Sequence, residues 1–369
     1  MSDTELLHAA HALQPTMLRR LERLVGCESP SDSPDALRSC AALLAPWLEA
    51  ALDRPVDRVQ TGDRVHLLAA AREPRILLLG HFDTVWPLGT LAGWPFSITD
   101  DVAVGPGVFD MKAGIVQLLA ALELVRDSSH VSVLLTSDEE IGSATSRPLI
   151  EDQARRAGGV LVCEPSGDGG APKIARKGIA GYRVEVRGKA AHAGLEPESG
   201  VNAGVELAHQ ILAIASLSGP DTTVIPTVLA GGTTTNTVPE LAHVRVEARS
   251  WTVEALAEVD RALSALTPRL PGARITVTGG IRRPPFERHA ALALLARAEH
   301  AAATLGLELA APVSSGGVSD GNLTAALGVP TLDGLGAVGG HAHGRGEHVR
   351  ISTLPERAAL LAALLAELR

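Results

Sequence analysis

An apolar run, Ile76 to Leu79, ends in Gly80-His81-Phe82-Asp83-Thr84-Val85 and so hands an imidazole and a carboxylate to one place. A buried strand that delivers such a pair to its C-terminal end points to a site, because ligands of α/β sheets bind outside those ends. Asp110 follows in Gly105-Pro106-Gly107-Val108-Phe109-Asp110-Met111-Lys112, and Glu139 and Glu140 follow the strand-like Val131 to Thr136. Glu164 follows Val160 to Cys163, and His343 lies in Gly339-Gly340-His341-Ala342-His343-Gly344-Arg345-Gly346-Glu347. A set of histidine and carboxylate ligands suits one or two borderline divalent cations such as zinc.

Asp83 stands two residues after His81, so on extended backbone both side chains point to one face. It is placed to accept a hydrogen bond from the imidazole nitrogen turned away from a metal, which fixes the tautomer; the competing reading is a solvated turn aspartate. Glu139 and Glu140 are adjacent and cannot both reach one ion. Asp138 completes an acidic run that reads as a solvated loop, with no role of its own. Apart from His81, His192, His341, His343 and His348, the other histidines (His8, His11, His66, His130, His209, His243, His289, His300) read as surface residues.

Taken in order, GHFDTVWP, GPGVFDMKAG, SDEEIGS, CEPS, GKAAHAG and the late His343 with Glu347 four residues on resemble the zinc-dependent M20 peptidases, most closely their glutamate carboxypeptidase branch. The resemblance runs through nearly the whole chain. It implies that Asp110 bridges two metals, that His81 and Glu164 complete one site, and that Glu140 and His343 complete the other. It makes Glu139 the general base, and it places His192 (Gly188-Lys189-Ala190-Ala191-His192-Ala193-Gly194) at the oxyanion of a neighbouring subunit's site. Asn236 and Arg249 resemble residues that hold a substrate's terminal carboxylate, for which an arginine fork is suited; the plainer reading of Arg249 is a strand-end salt bridge. Gly316-Gly317 and Ser319-Asp320-Gly321-Asn322 look like a backbone-rich substrate loop. The resemblance also favours His343 over His341 as the ligand, because members of the family carry a glutamate four residues beyond it, as Glu347 stands here, and glycine where His341 stands.

The elements that must position these groups alternate as in α/β proteins. Arg75 to Gly80, Val131 to Thr136 and Val160 to Cys163 read as strands, and Ala113 to Val125 as a helix, so Asp110 falls just before a helix start. Near Lys177-Gly178 the character changes to a one-sided pattern. A strand (Tyr182 to Val186), helix (Val201 to Ala215), strands (Thr223 to Leu229, Leu241 to Arg249), helix (Val253 to Leu266) and strand (Arg274 to Thr278) give the β-α-β-β-α-β order of a ferredoxin-like sandwich. The expected architecture is a discontinuous α/β catalytic domain with a mixed sheet, residues 1–177 and 282–369, carrying an inserted α+β dimerisation domain at residues 178–281.

The 369 residues suffice for two cores, and with four Phe, four Trp and one Tyr those cores must be mostly Leu, Val, Ile and Ala. A net charge of −9 and a pI near 5.8 argue against a nucleic acid or an anionic membrane as partner. No run approaches a membrane span, and the acidic start lacks signal-peptide order, so a cytoplasmic location is expected. Cys27, Cys40 and Cys163 form no metal or disulfide pattern, and Cys163 reads as a small apolar core residue.

The resulting expectation is a homodimeric hydrolase holding two Zn²⁺ per chain, with Co²⁺ or Mn²⁺ as alternatives. It would cleave an amide bond to an amino acid with a free α-carboxylate, foremost a C-terminal glutamate, in a small peptide or N-acyl amino acid. The alternative within the same machinery is an N-acyl-amino-acid deacylase of the acetylornithine or succinyl-diaminopimelate type. A reading of another class, a non-catalytic metal- or ligand-binding relative, is disfavoured because such a protein has no need of Glu139.

Overall fold

The computed structural model describes residues 3–369; Met1 and Ser2, where the acidic start begins, lie outside the described residues. The chain forms two compact units, one comprising the residues to Ala175 with Arg288–Ser315 and Ser319–Arg369, the other Arg176–Glu287 with Gly316–Val318.

In the first unit the apolar run becomes the strand Ile76–His81, buried at every position. Continuous Leu and Ile burial is what a strand covered on both faces requires. It pairs in parallel with Val131–Thr136 on one side and Gly159–Val162 on the other, and Thr331–Leu332 continues in parallel at one edge. Arg64–Ala69 and Asp57–Thr61 add antiparallel strands at the other edge, so the six-stranded sheet is mixed. The helix Ala113–Leu124, buried at all but one position, packs with Asp3–Gly26 and Thr353–Glu367. Leu77, Leu79, Leu134, Val160 and Val162 pack instead with Ile150 and Ala154 of the helix Arg147–Arg156 and with Leu323.

The second unit is a four-stranded antiparallel sheet in the spatial order Thr223–Gly231, Leu241–Ser250, Gly178–Arg187, Arg274–Arg283. With the helices Ala203–Ala215 and Val253–Ser264 this is the ferredoxin-like α+β arrangement. Alternation sends Ala180, Tyr182, Val184, Val186, Val244 and Val246 into one core with Leu207 and Leu256. Both helices start where a side chain caps them: Asn202 Oδ1 accepts from Gly204 and Val205 N–H, and Thr252 Oγ1 from Ala255 N–H.

Three surface readings are corrected by burial. His66 is buried, with Nδ1 accepting from Ser137 N–H at 3.3 Å and Nε2 3.1 Å from Thr145 Oγ1, and burial pushes its pKa down. His130 is buried as well, against the Leu365 carbonyl at 3.1 Å. Asp138 is no solvated loop residue, since its buried carboxylate accepts from the N–H and hydroxyl of both Thr145 and Ser146. Ser319-Asp320-Gly321-Asn322 is buried too: Ser319 Oγ donates to Asp333 at 2.6 Å and Asp320 accepts from Thr136 Oγ1 at 3.2 Å. Small residues there serve close packing, while Gly316 and Gly317, the other half of the expected substrate loop, are exposed.

Candidate metal centre

Three adjacent parallel strands end at one edge of the first unit's sheet, and each delivers acidic or imidazole groups there. His81 is the last residue of its strand and lies in register with Thr136, three positions before Glu139; Leu79 lies in register with Val162, two before Glu164. This is the carboxyl end of the parallel strands, where α/β sheets bind ligands.

His81 Nε2 lies 3.3 Å from Asp110 Oδ1 and 3.3 Å from Glu164 Oε1. His343 Nε2 lies 3.4 Å from Asp110 Oδ2 and 3.1 Å from Glu140 Oε2. Two groups result, His81-Asp110-Glu164 and Asp110-Glu140-His343, each with donor atoms within 4.8 Å of one another. Asp110 belongs to both, one oxygen to each.

The donor chemistry fits divalent cations. Asp110 Oδ1 and Glu140 Oε1 are buried without a hydrogen-bond partner, one in each group, and such oxygens call for a positive neighbour. The field points the same way. Burial alone would push the His81 pKa down, yet Asp110, Asp83 and Glu164 raise it well above the usual imidazole range. Asp110 and Glu140 raise that of His343 to about 10. Burial would raise the Asp110 pKa, but the two imidazoles hold it below the usual carboxylate range, while burial raises that of Glu140.

Asp83 is fully buried and ties the site together. The His81 Nδ1 has the Asp83 main-chain carbonyl at 3.0 Å and its carboxylate Oδ1 at 3.4 Å, so the backbone rather than the side chain is the nearer partner of the imidazole. The carboxylate is engaged elsewhere: it accepts from Ser31 Oγ at 2.7 Å and from the N–H groups of Glu139 and Glu140 at 3.2 Å each. Asp83 therefore fixes the turn that aims both glutamates. Glu139 belongs to neither ligand group.

Glu347 emerges as a positioning group that the sequence marked only as a companion of His343. Its buried carboxylate accepts from the N–H groups of Gly107, Phe109 and Asp110 and from Trp86 Nε1, at 2.8–3.0 Å. It thereby holds the irregular turn Val108–Lys112 that presents Asp110. Both His341 and His343 adopt left-handed backbone, at φ 59° and 62°. His341 joins neither ligand group and lies 5.8 Å from the ring of His348. Cys163, beside Glu164, is buried, and its thiol is pushed up to about 12, which fits a core residue and not a nucleophile.

His192, Asn236 and Arg249 belong to the second unit. His192 pairs with Thr237 as an isolated bridge, and Ala193 N–H donates to the Asn236 carbonyl, so the His192 and Asn236 segments are neighbours. His192 Nδ1 accepts from Gly194 and Leu195 N–H at 3.1 Å each. With Nδ1 accepting, Nε2 is the ring nitrogen of this exposed histidine left to donate. Asn236 Oδ1 accepts from Thr234 Oγ1. Arg249 donates through Nε to Glu247 at 2.8 Å and through Nη1 to the Gly316 carbonyl, so a strand-end salt bridge is present.

Residues 77–367 match the model of peptidase family M20/M25/M40. The chain is 32% identical to carboxypeptidase G2 of Pseudomonas sp. (strain RS-16), over 99% of this chain and 92% of that protein. It is 29% identical to a succinyl-diaminopimelate desuccinylase of Alkalilimnicola ehrlichii, over 85% of this chain and 90% of that protein. In fold it resembles the YXEP protein of Bacillus subtilis, a dinuclear metal-binding peptidase of the M20 family, with a TM-score of 0.68 at 15% identity, covering 97% of this chain and 98% of that one. A family match that begins in the strand carrying His81 and ends beyond His343 takes in both ligand groups, and the chain accordingly belongs to peptidase family M20/M25/M40 and is a hydrolase of that family.

Proposed function

We propose that the chain is a dinuclear metal-dependent carboxypeptidase that hydrolyses an amide bond to an amino acid with a free α-carboxylate, foremost a C-terminal glutamate. The observation that carries this reading is the division of Asp110 between two ligand groups, with Glu139 beside them and outside both. His81, Asp110 and Glu164 would hold one ion, and Asp110, Glu140 and His343 the other, with zinc the best match to the donors and cobalt or manganese as alternatives. Ions held there would supply an electrophile for the scissile carbonyl and acidify a water at neutral pH.

The chain's own residues do the rest. Glu139 takes the proton from the attacking water and returns it to the leaving nitrogen. His192 donates through Nε2 to the developing oxyanion. Arg249 and Asn236 hold the free carboxylate. The similarity to a carboxypeptidase over nearly the whole chain supports this substrate class, and the similarity to a desuccinylase keeps an N-acyl-amino-acid deacylase as the second reading. We further propose a cytoplasmic homodimer joined through the second unit, where Ile225, Val228 and Leu229 on the edge strand Thr223–Gly231 and Leu212 on the helix Ala203–Ala215 are exposed. Among the described residues no helix is long and apolar enough to cross a membrane.

Assay of metal-loaded protein against N-acyl-glutamates, N-acetylornithine, N-succinyl-diaminopimelate and short dipeptides tests the reading. Release of C-terminal glutamate as the fastest reaction supports it. Preference for acetylornithine or the succinyl compound replaces it with the deacylase, and no hydrolysis of any of them overturns it.

A further inference from the structure

The second unit's sheet is covered by helices on one face only, and its other face carries an unusual pairing. Arg183 and Arg245 are direct cross-strand partners in the antiparallel register of Gly178–Arg187 with Leu241–Ser250. Like charges directly opposite one another destabilise a sheet. Nearby acids relieve this only in part: Glu185 is shared between Arg183 at 3.4 Å and Arg187 at 2.9 Å, and Glu247 is taken by Arg249 at 2.8 Å. The Arg245 guanidinium has no hydrogen-bond or ion-pair partner among the described residues.

A cavity of about 410 Å³ opens over this pair, and Arg282, Thr227, Thr278 and Glu247 line it with them. Two glycines shape its floor. A Cβ on Gly181 would lie 2.6 Å from the Arg282 guanidinium, so the missing side chain is what lets Arg282 reach over the sheet. Gly279, at φ 123°, passes so close to the Gly181 carbonyl that any Cβ would fall 2.1 Å from it. Three guanidiniums thus converge in a concavity on a chain whose net charge is −9, so the positive field is local and built.

We infer that this cavity is a second ligand site, at which Arg183, Arg245 and Arg282 bind a short acidic peptide through its carboxylates. Guanidinium forks match carboxylates two bonds at a time, and the repulsion between Arg183 and Arg245 is relieved when an anion lies between them. The volume holds a few residues, and the lining offers no exposed aromatic ring on which a base could stack. A peptide with two or three carboxylates is the occupant that this chemistry selects.

Calorimetric titration of the full, metal-loaded chain with triglutamate capped at both ends tests the site, because the capped peptide has no free C-terminal α-carboxylate. Saturable one-to-one binding is expected, weakening from 20 to 200 mM salt, with no binding of capped triglutamine. Arg245→Gln and Arg183→Gln should each weaken it at least about tenfold, and Gly181→Val, which fills the space under Arg282, should do the same. Without peptide, Arg245→Gln should melt slightly above the parent chain, because it removes the like-charge pair; a residue kept only for structure would not show that gain together with lost binding. Wild-type affinity in both arginine variants, or no saturable binding by the parent, overturns the inference. Inorganic phosphate binding as tightly as the peptide with the same arginine dependence would also overturn it, in favour of a free-anion site.

Discussion

The carboxylate of Glu347 accepts a hydrogen bond from the backbone N–H of Asp110 at 2.9 Å, across 237 residues of sequence. The residue that belongs to both candidate ligand groups is thus held in place by an acid that belongs to neither. Three further donors, Gly107 N–H, Phe109 N–H and Trp86 Nε1–H, converge on the same carboxylate, against the upward push that burial gives its pKa. Only a group with four acceptor positions and no proton can serve all four.

Glu347→Gln therefore replaces one accepting oxygen by a donating amide facing donors. With buried N–H groups left unsatisfied at roughly 1–3 kcal/mol each, a stability loss of about 2–4 kcal/mol is expected. A displaced Asp110 should also weaken cation binding, by roughly 10–100-fold as for other groups that orient ligands. Urea unfolding and metal titration measure the two effects, and unchanged cation affinity would show that Glu347 only packs the turn.

Metal content follows from the split of Asp110. Dialysed, active protein should carry two divalent ions per chain by elemental analysis, and chelation should abolish hydrolysis, since five residues exceed the three that a single catalytic zinc takes from protein. Asp110→Asn keeps the volume, removes the charge shared by both groups, and should lower the occupancy of both. One ion per chain in fully active protein would contradict the two-ion reading.

Glu139 and Glu140 separate by role. Glu139→Gln should keep both metals and lower turnover by roughly 10²–10⁴-fold, the usual contribution of a general base. Glu140→Gln should release metal, because Glu140 lies against His343 and carries one of the orphaned oxygens. Their backbone N–H groups share the Asp83 carboxylate, so Asp83→Asn should disturb both functions at once. Equal metal loss from the two glutamate variants would erase the division of labour.

What the sequence disclosed about this site follows the period of its strands. His81 and Glu164 stand at or just beyond the ends of continuous apolar runs, and such runs are legible because a strand buried on both faces has no alternation to disguise it. The ferredoxin-like order was legible from the opposite signal, the one-sided alternation from Tyr182 to Val186. Glu347 was visible only as a spacing, because its partners are backbone N–H groups, which have no letter. His66 and Asp138 read as solvated in the sequence for a related reason: both are buried and share Thr145 as a hydrogen-bond partner, and a polar residue in a satisfied network looks like any other polar residue until its partner is known. The Arg183 and Arg245 pairing needed the register, which composition does not carry.

The edge strand Thr223–Gly231 supports a prediction about assembly. Ile225, Val228 and Leu229 are each more than half exposed there, and Leu212 is 72% exposed on the helix Ala203–Ala215. An open edge bearing apolar side chains invites a second copy of itself. Light scattering should give a dimer at micromolar concentration, and the double substitution Leu212→Glu with Leu229→Glu should shift it to monomer. A parent chain that is monomeric and fully active would remove the dimer from the proposal.

If the dimer forms, His192 supplies the means of testing whether two subunits share one site. Its Nδ1 is committed to the N–H groups of Gly194 and Leu195, which leaves Nε2 as the donor of an exposed ring, suited to a developing oxyanion. Suppose that this donor serves the partner's metal centre. A Glu139→Gln chain and a His192→Ala chain are then each slow as homodimers, because every site lacks either a base or a donor. In the mixed dimer one site combines the intact Glu139 of one chain with the intact His192 of the other, and the second site carries both defects. Co-expression with two different tags, followed by isolation of the doubly tagged species, should recover up to about half of the parent activity per dimer, since one of two sites is whole. If His192 serves its own chain, each site of the mixed dimer keeps one defect and no activity returns. The comparison requires that His192→Ala holds the same metal content as the parent, which elemental analysis checks on the same samples. Rescue near the half-activity level places the donor across the two-fold axis; its absence in metal-loaded mixed dimers confines His192 to its own subunit and withdraws the shared site.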